Sequence, residues 1–262
     1  MTCSGVGSTP PGPGPTESIP ARPVEHAPWD PAAPSHTPEP VWRAALAMRP
    51  DCPTLGWHSV LVVAPHPDDE TLGLGATIAG LNRRGASVRV LFLTDGEASH
   101  PASPGLRRRR AGEAAVALAT LGLPEDRMER LGWADGGLAD DVKALGASIA
   151  ASAAGCDTVL STWPGDGHPD HWAAGIAAQD AASELGMGAW WYPIWAWHHE
   201  RIDGGLLRSA ERVAVATVDV AAKKRALGAY RSQLTDLLGP PIVPPSFLQH
   251  HLRPFEVVVP CP

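Results

Sequence analysis

Residues 60–75 read V-L-V-V-A-P-H-P-D-D-E-T-L-G-L-G, Val60 to Gly75. An apolar, β-branched run stops at Pro65. His66, Asp68, Asp69 and Glu70 follow at once. From there Leu72, Ile78 and Leu81 fall on one helical face, so the stretch reads as strand, tight loop, helix. Three carboxylates at the end of a buried strand repel one another, and each loses hydration on burial. A cation offsets that cost, and His with Asp is a fitting ligand set for Zn2+ or a similar divalent metal. The competing reading of D-D-E is an acidic, solvated helix N-terminus favoured by the helix dipole alone.

A second cluster about a hundred residues on weighs against that alternative. A strand expected at 158–162 runs into W-P-G-D-G-H-P-D-H-W, followed by a helix from about His171 to Leu185. Between the two clusters the pattern alternates. A helix over 70–84 is closed by Gly85. The strand S-V-R-V-L-F-L-T (Ser87–Thr94) ends in D-G-E. A helix covers 107–121 with Gly122 as its stop, a short strand 127–131, and a helix 141–154. Strands alternating with helices imply an α/β fold: a Rossmann-like, doubly wound, mostly parallel sheet with helices on both faces, in a single domain. Right-handed crossovers place the strand C-termini along one edge, and ligands bind there, where strand order reverses. The strands at 59–64 and 158–162 are the candidates to flank that point.

Their loops then meet, and His66, Asp69 and His171 supply three metal ligands, leaving a position for water. Asp68 remains free as general base. His168 is placed to meet a developing oxyanion or to protonate a leaving amine. Asp170 is a candidate to orient a histidine. Such a set suits hydrolysis of an amide.

The chain has 262 residues, 44% of them hydrophobic, enough for one α/β domain and a tail. With net charge -7 and pI near 5.8, it lacks a general nucleic-acid footprint. No apolar segment approaches the roughly 18 residues of a membrane span. No secretory signal is visible, and Cys3, Cys52, Cys156 and Cys261 are scattered, so a cytoplasmic enzyme without a disulfide framework is expected. Residues 1–40 hold eleven of the 28 prolines. Residues 1–50 are therefore read as a Pro-rich, poorly ordered extension, with Trp29 and Trp42 as local docking points and a short helix at 41–48, and 51–262 as the domain.

H-P-D-D-E after a strand, with a later H-P-D-H, resembles the PIG-L/LmbE-like family of zinc-dependent N-acetylglucosaminyl deacetylases. The resemblance runs from about Ser59 to Leu234. It implies a Zn2+ enzyme, with Fe2+ as the alternative metal. That enzyme removes an acyl group, usually acetyl, from a small-molecule N-acyl sugar or glycoconjugate. It implies His66, Asp69 and His171 as metal ligands, Asp68 as general base and His168 as the oxyanion or acid residue. T-D-G-E places Glu97 near the family's pocket, and R-x-x-E in the next helix gives Arg110 and Glu113. L-G-W-A-D-G-G-L resembles the family's L-G-x-x-D-G-x-L, with Asp135 where sugar hydroxyls are contacted. K-x-x-A-L-x-x-Y-x-S-Q, Lys224 to Gln233, resembles its C-terminal helix. One departure stands out: some members carry a tyrosine two residues before the H-P-D-H motif, and Asp166 stands there.

Plainer readings stand beside these. Arg110 and Glu113 suit an exposed helix pair, and Asp135 in its Gly-rich loop suits a turn. Trp190, Trp191, Tyr192, Trp195 and Trp197, followed by His198 and His199, read as strand-like core packing, an oligomer interface or a pocket wall. F-E-V-V-V-P near the end suggests an edge strand. The rival functions are an amidase on a non-sugar or thiol-conjugate amide, an inactive binding protein of the same fold, and a nucleotide-binding module. The last is weakened because Ile78 stands where a third glycine is needed after Gly73 and Gly75, and three acids just upstream would repel a pyrophosphate.

Overall fold

A computed structural model describes residues 34–100 and 103–262. The expectations for 1–33, including Trp29, lie outside those residues. In chain order the helices are α1 (Glu39–Leu46), α2 (Asp69–Arg83), α3 (Leu106–Thr120), α4 (Val142–Ser152), α5 (Pro169–Leu185), α6 (Ala196–His199), α7 (Gly205–Ser209) and α8 (Thr217–Leu227), followed by short turns at Arg231–Leu234 and Pro245–Leu248. The strands are β1 (Ser59–Ala64), β2 (Ser87–Thr94), β3 (Met128–Trp133), β4 (Thr158–Thr162), β5 (Gly188–Tyr192), β6 (Glu211–Ala214) and β7 (Phe255–Pro260).

The seven strands form one sheet in the order β3-β2-β1-β4-β5-β7-β6. The first five are parallel, and β7 runs antiparallel to both β5 and β6. Strand order reverses between β1 and β4, so the loops after Ala64 and Thr162 share the crevice where doubly wound sheets bind ligands.

The alternation of β1 explains the two layers. Val60, Val62 and Ala64 enter one core with Leu72 and Ile78 of α2, Ala117 and Leu118 of α3, and Ala226 of α8. Leu61 and Val63 enter the opposite core with Leu145 and Ile149 of α4 and the alanine face of α5. Successive residues of a strand point to opposite faces, so a fully apolar β1 is what a sheet covered on both sides needs.

Three local expectations change. The strand-like run through Trp197 ends at Tyr192, because Pro193 cannot donate to the ladder and Trp195–Ala196 turn into α6. Phe255–Pro260 is an interior strand, and the edge beyond it is β6, whose E-R-V-A is too short and polar to read as a strand. Residues 34–50 are packed on the domain: Trp42 and Leu46 of α1 are fully buried, and Trp42 meets Trp197 edge-on at 5.2 Å.

Candidate metal centre

The site lies at the C-terminal ends of β1 and β4. Pro65 stops β1, and the chain turns sharply through Asp68 into α2, so Asp69 sits in the first turn of that helix. After β4 the G-D-G turn leads to His168, which caps α5, and His171 lies in that helix's first turn. One donor atom from each of His66, Asp69 and His171 falls within 4.8 Å of the other two. His66 Nδ1 is 3.1 Å from Asp69 Oδ2, and His171 Nε2 is 3.3 Å from the same oxygen.

Their outer partners orient the rings. His171 Nδ1 faces Asp166 Oδ2 at 2.6 Å, so Nδ1 donates and Nε2 is the nitrogen that offers a lone pair when the ring is neutral. That Nε2 is buried and has no hydrogen-bond partner. His66 Nε2 lies 3.1 Å from Asp135 Oδ1 and 3.2 Å from Asp170 Oδ2, which turns Nδ1 toward Asp69. Two imidazole nitrogens and a carboxylate oxygen converge, and one of the nitrogens, His171 Nε2, is orphaned in a buried setting. That donor set fits a divalent ion of the zinc type.

Asp68 is buried, and its Oδ1 is 3.3 Å from Arg110. Burial pushes its carboxyl up to about 8, against the pull of the Arg110 guanidinium, with Asp69 and Glu70 adding repulsion. Burial likewise disfavours charge on Asp69, yet the facing His171 and His66 rings hold its carboxyl well below the usual range. Burial opposes charge on His171 too, but Asp69 and Asp166 raise it to about 9. On His66 the oxygens of Asp135, Asp170 and Asp69 outweigh burial and raise the ring well above its usual value. So many carboxylates gathered around these histidines make a site poised for a cation.

His168 is half-buried, and its Nδ1 accepts the Asp170 N–H at 3.1 Å. With Nδ1 accepting, the ring proton belongs on Nε2. Asp170 is fully buried; besides approaching His66, its oxygens accept the N–H groups of Gly136 and Leu138. Asp135 is engaged on both oxygens, by His66 and by the Ala98 N–H at 2.7 Å, and burial is overcome by these contacts to hold it at about 2. Glu97 is tied to Arg107 at 2.7 Å. Arg110 donates to Gly96 O and Pro67 O besides meeting Asp68; it is buried, which rules out the exposed helix pair.

Sequence patterns alone did not single out Asp166 as the residue behind His171. The available signal was an acid in a Gly-flanked turn five residues before a candidate ligand. Its oxygens also accept the N–H groups of Ile194, Trp195 and Ala196, which anchors the aromatic segment to the site. His199 Nε2 lies 3.0 Å from Asp166 O, so this ring does reach the loop before α5. Trp197, by contrast, is core: it packs between Trp42 and the Arg253 guanidinium. Gly73 serves packing, because a Cβ there would meet the Tyr192 ring at 2.3 Å.

The family model for GlcNAc-PI de-N-acetylase, PIG-L, matches residues 61–182, which contain both loops of the candidate site. This part of the chain is a PIG-L family domain. A 1D-myo-inositol 2-acetamido-2-deoxy-alpha-D-glucopyranoside deacetylase of Mycolicibacterium gilvum is 33% identical over 143 residues, covering 43% of this chain and 50% of that one. This chain thus spans about half the length of the curated relatives it matches. The crystal structure of the A40926 pseudoaglycone deacetylase Dbv21 superposes with a TM-score of 0.62 at 28% identity, covering 78% of this chain and 96% of that one. The conserved protein TT1542 of Thermus thermophilus is 30% identical with a TM-score of 0.53, covering 69% of this chain and 81% of that one. Among the described residues no helix is long and apolar enough to cross a membrane.

Proposed function

We propose that this chain is a metal-dependent N-deacetylase acting on a glucosamine-type sugar or glycoconjugate. The observation that carries the reading is the convergence of His66 Nδ1, Asp69 Oδ2 and the orphaned His171 Nε2 beside an unligated, buried Asp68. The deacetylases among its relatives support the substrate class.

In this reading His66, Asp69 and His171 hold the ion, Zn2+ first and Fe2+ second. Bound there, a divalent ion supplies Lewis acidity toward an attacking water and the amide carbonyl. Asp68 is the general base of this reading: burial raises its basicity, and a cation held beside it would favour the ionised carboxylate that accepts the proton of that water. Arg110 holds the carboxylate through the ion pair at 3.3 Å. His168 offers Nε2–H to the developing oxyanion, since its Nδ1 is committed to the Asp170 N–H. Asp135 and Asp170 hold the His66 ring. Glu97 and Asp135 stand at the half-buried rim, where sugar hydroxyls would approach. A cytoplasmic location belongs to this proposal.

The deciding experiment joins metal analysis by mass spectrometry to acetate release from N-acetylglucosamine, N,N'-diacetylchitobiose and an N-acetylglucosaminyl inositol. One bound ion and turnover of at least one sugar are expected. His171→Ala should lose both, whereas Asp68→Asn should keep the metal and lose turnover by about 100-fold or more. Turnover of non-sugar amides alone would replace the sugar with another acyl acceptor. Absence of a bound ion would overturn the reading.

A further inference from the structure

Asp68 has φ 129° and ψ -30° and is the single non-glycine residue at positive φ among the described residues. An L-residue stays in such a conformation only where its surroundings over-determine it. Here the surroundings can be named. The Asp68 N–H donates to Glu70 Oε2 at 3.1 Å, and the Asp68 carbonyl accepts the N–H groups of Thr71 and Leu72. Glu70 is fully buried, and its Oε1 accepts the hydroxyls of Tyr230 and Thr71. Tyr230 is fully buried as well and lies 160 residues away in the chain.

The opposite side of the loop is gripped by Arg110, which donates to Pro67 O at 2.5 Å and meets Asp68 Oδ1 at 3.3 Å. The two grips share a frame. Glu113, one turn after Arg110 on α3, accepts the Ser232 N–H at 3.0 Å and the Ser232 hydroxyl at 2.6 Å. Ser232 stands two residues after Tyr230. The R-x-x-E of α3 and the Y-x-S-Q after α8 are therefore one construction around the Asp68 turn.

We propose that Tyr230 and Glu70 are positioning residues for Asp68: the Tyr230 hydroxyl fixes the Glu70 carboxylate, and that carboxylate holds the Asp68 amide in the turn that presents the Asp68 side chain. The proposal rests on the reading of Asp68 as general base. Tyr230→Phe removes one hydroxyl and no ring. Glu70→Gln leaves one acceptor oxygen where two are used.

The test measures amide hydrogen exchange of the segment 65–70 in metal-free protein, alongside kcat, KM and metal content on the best sugar of the panel. In either variant exchange at Asp68 should speed up several-fold. Misplacing the base should lower kcat by about 10- to 100-fold, with KM and bound metal unchanged. In the Asp68→Asn background the same substitution should change kcat less than about twofold, because residues acting as a unit are not additive. Wild-type exchange and kcat in both variants would overturn the proposal. So would an equal fold-loss in both backgrounds, or failure of both variants to fold, since each marks a merely structural pair. A fully active Asp68→Asn enzyme would instead overturn Asp68 as base, and the exchange result would then report the turn alone.

Discussion

Asp166 Oδ2 lies 2.6 Å from His171 Nδ1, and the remaining hydrogen bonds of that carboxylate come from three consecutive backbone N–H groups, Ile194 to Ala196. One buried side chain thus sets the tautomer of a candidate metal ligand and pins the start of α6. A tyrosine at this position could not accept all four bonds.

Asp166→Ala should therefore weaken zinc binding by about 10- to 100-fold, the range for losing an outer partner of a ligating histidine. Asp166→Asn should lose less, since its amide oxygen still accepts the Nδ1–H. Competition with a chromophoric chelator reads both values. Equal affinity in wild type and Asp166→Ala would remove Asp166 from the site.

Metal removal should lower stability as well as activity. The candidate ligands sit among Asp68, Glu70, Asp166 and Asp170, all buried, and a bound cation relieves their repulsion. Free metal at 100 times its Kd stabilises by about 2.7 kcal/mol. In a chain of this size that raises Tm by roughly 5–10 °C. Thermal scans with and without chelator should show this gap, and His171→Ala should close it. An unchanged gap in that variant would place the ion elsewhere.

The strand–loop–helix at 60–75 was legible because both signals are local: a β-branched run that stops at proline, then a helical period. The second loop was legible for the same reason, and strand alternation brought the two together. What escaped depends on contacts far apart in the chain. Asp166 gains meaning only when α6 folds over it, and Tyr230 only when its hydroxyl reaches Glu70, 160 residues away. α6 itself hides in an aromatic run whose composition suits a strand, until Pro193 breaks the ladder. The resemblance assigned Asp135 to sugar hydroxyls, but periodicity and spacing offer no sign that its oxygens hold His66 and Ala98.

The docking of α1 gives a pH-dependent stability. Glu39 accepts Arg253 through both oxygens, at 2.9 and 2.7 Å, and His250 Nδ1 lies 2.8 Å away. Burial raises the Glu39 carboxyl, but His250 and Arg253 outweigh it and hold the pKa below its usual 4.5. A depressed carboxylate contributes stability above its unfolded pKa and loses it as pH falls through the folded value. Glu39→Gln should therefore cost roughly 3 kcal/mol at pH 7, the scale for breaking a buried ion pair. The difference from wild type should shrink as pH drops below 4.5. Denaturant midpoints at the two pH values measure it, and a difference that grows on acidification would refute the pairing.

The seating of α5 against β4 sets where His171 stands, and Gly175 sets that seating. A Cβ at Gly175 would lie 2.4 Å from Thr162 O and 2.8 Å from Pro164 Cγ, so backbone must move to accept it. The Thr162 hydroxyl already donates to His171 O at 3.1 Å, which makes the β4 end and the ligand turn one unit. Gly175→Ala should push α5 off the sheet, costing about 1–3 kcal/mol as overpacking does. It should also weaken metal binding through His171. Gly112→Ala is the matched control. Gly112 is also inside a helix, yet nothing lies within 4 Å of its added Cβ. That change should stabilise by up to about 1 kcal/mol from helix propensity and leave metal affinity untouched. Denaturant melts and chelator competition on both variants separate the cases. Equal effects at the two glycines would mean that the contact with Thr162 does not position the helix.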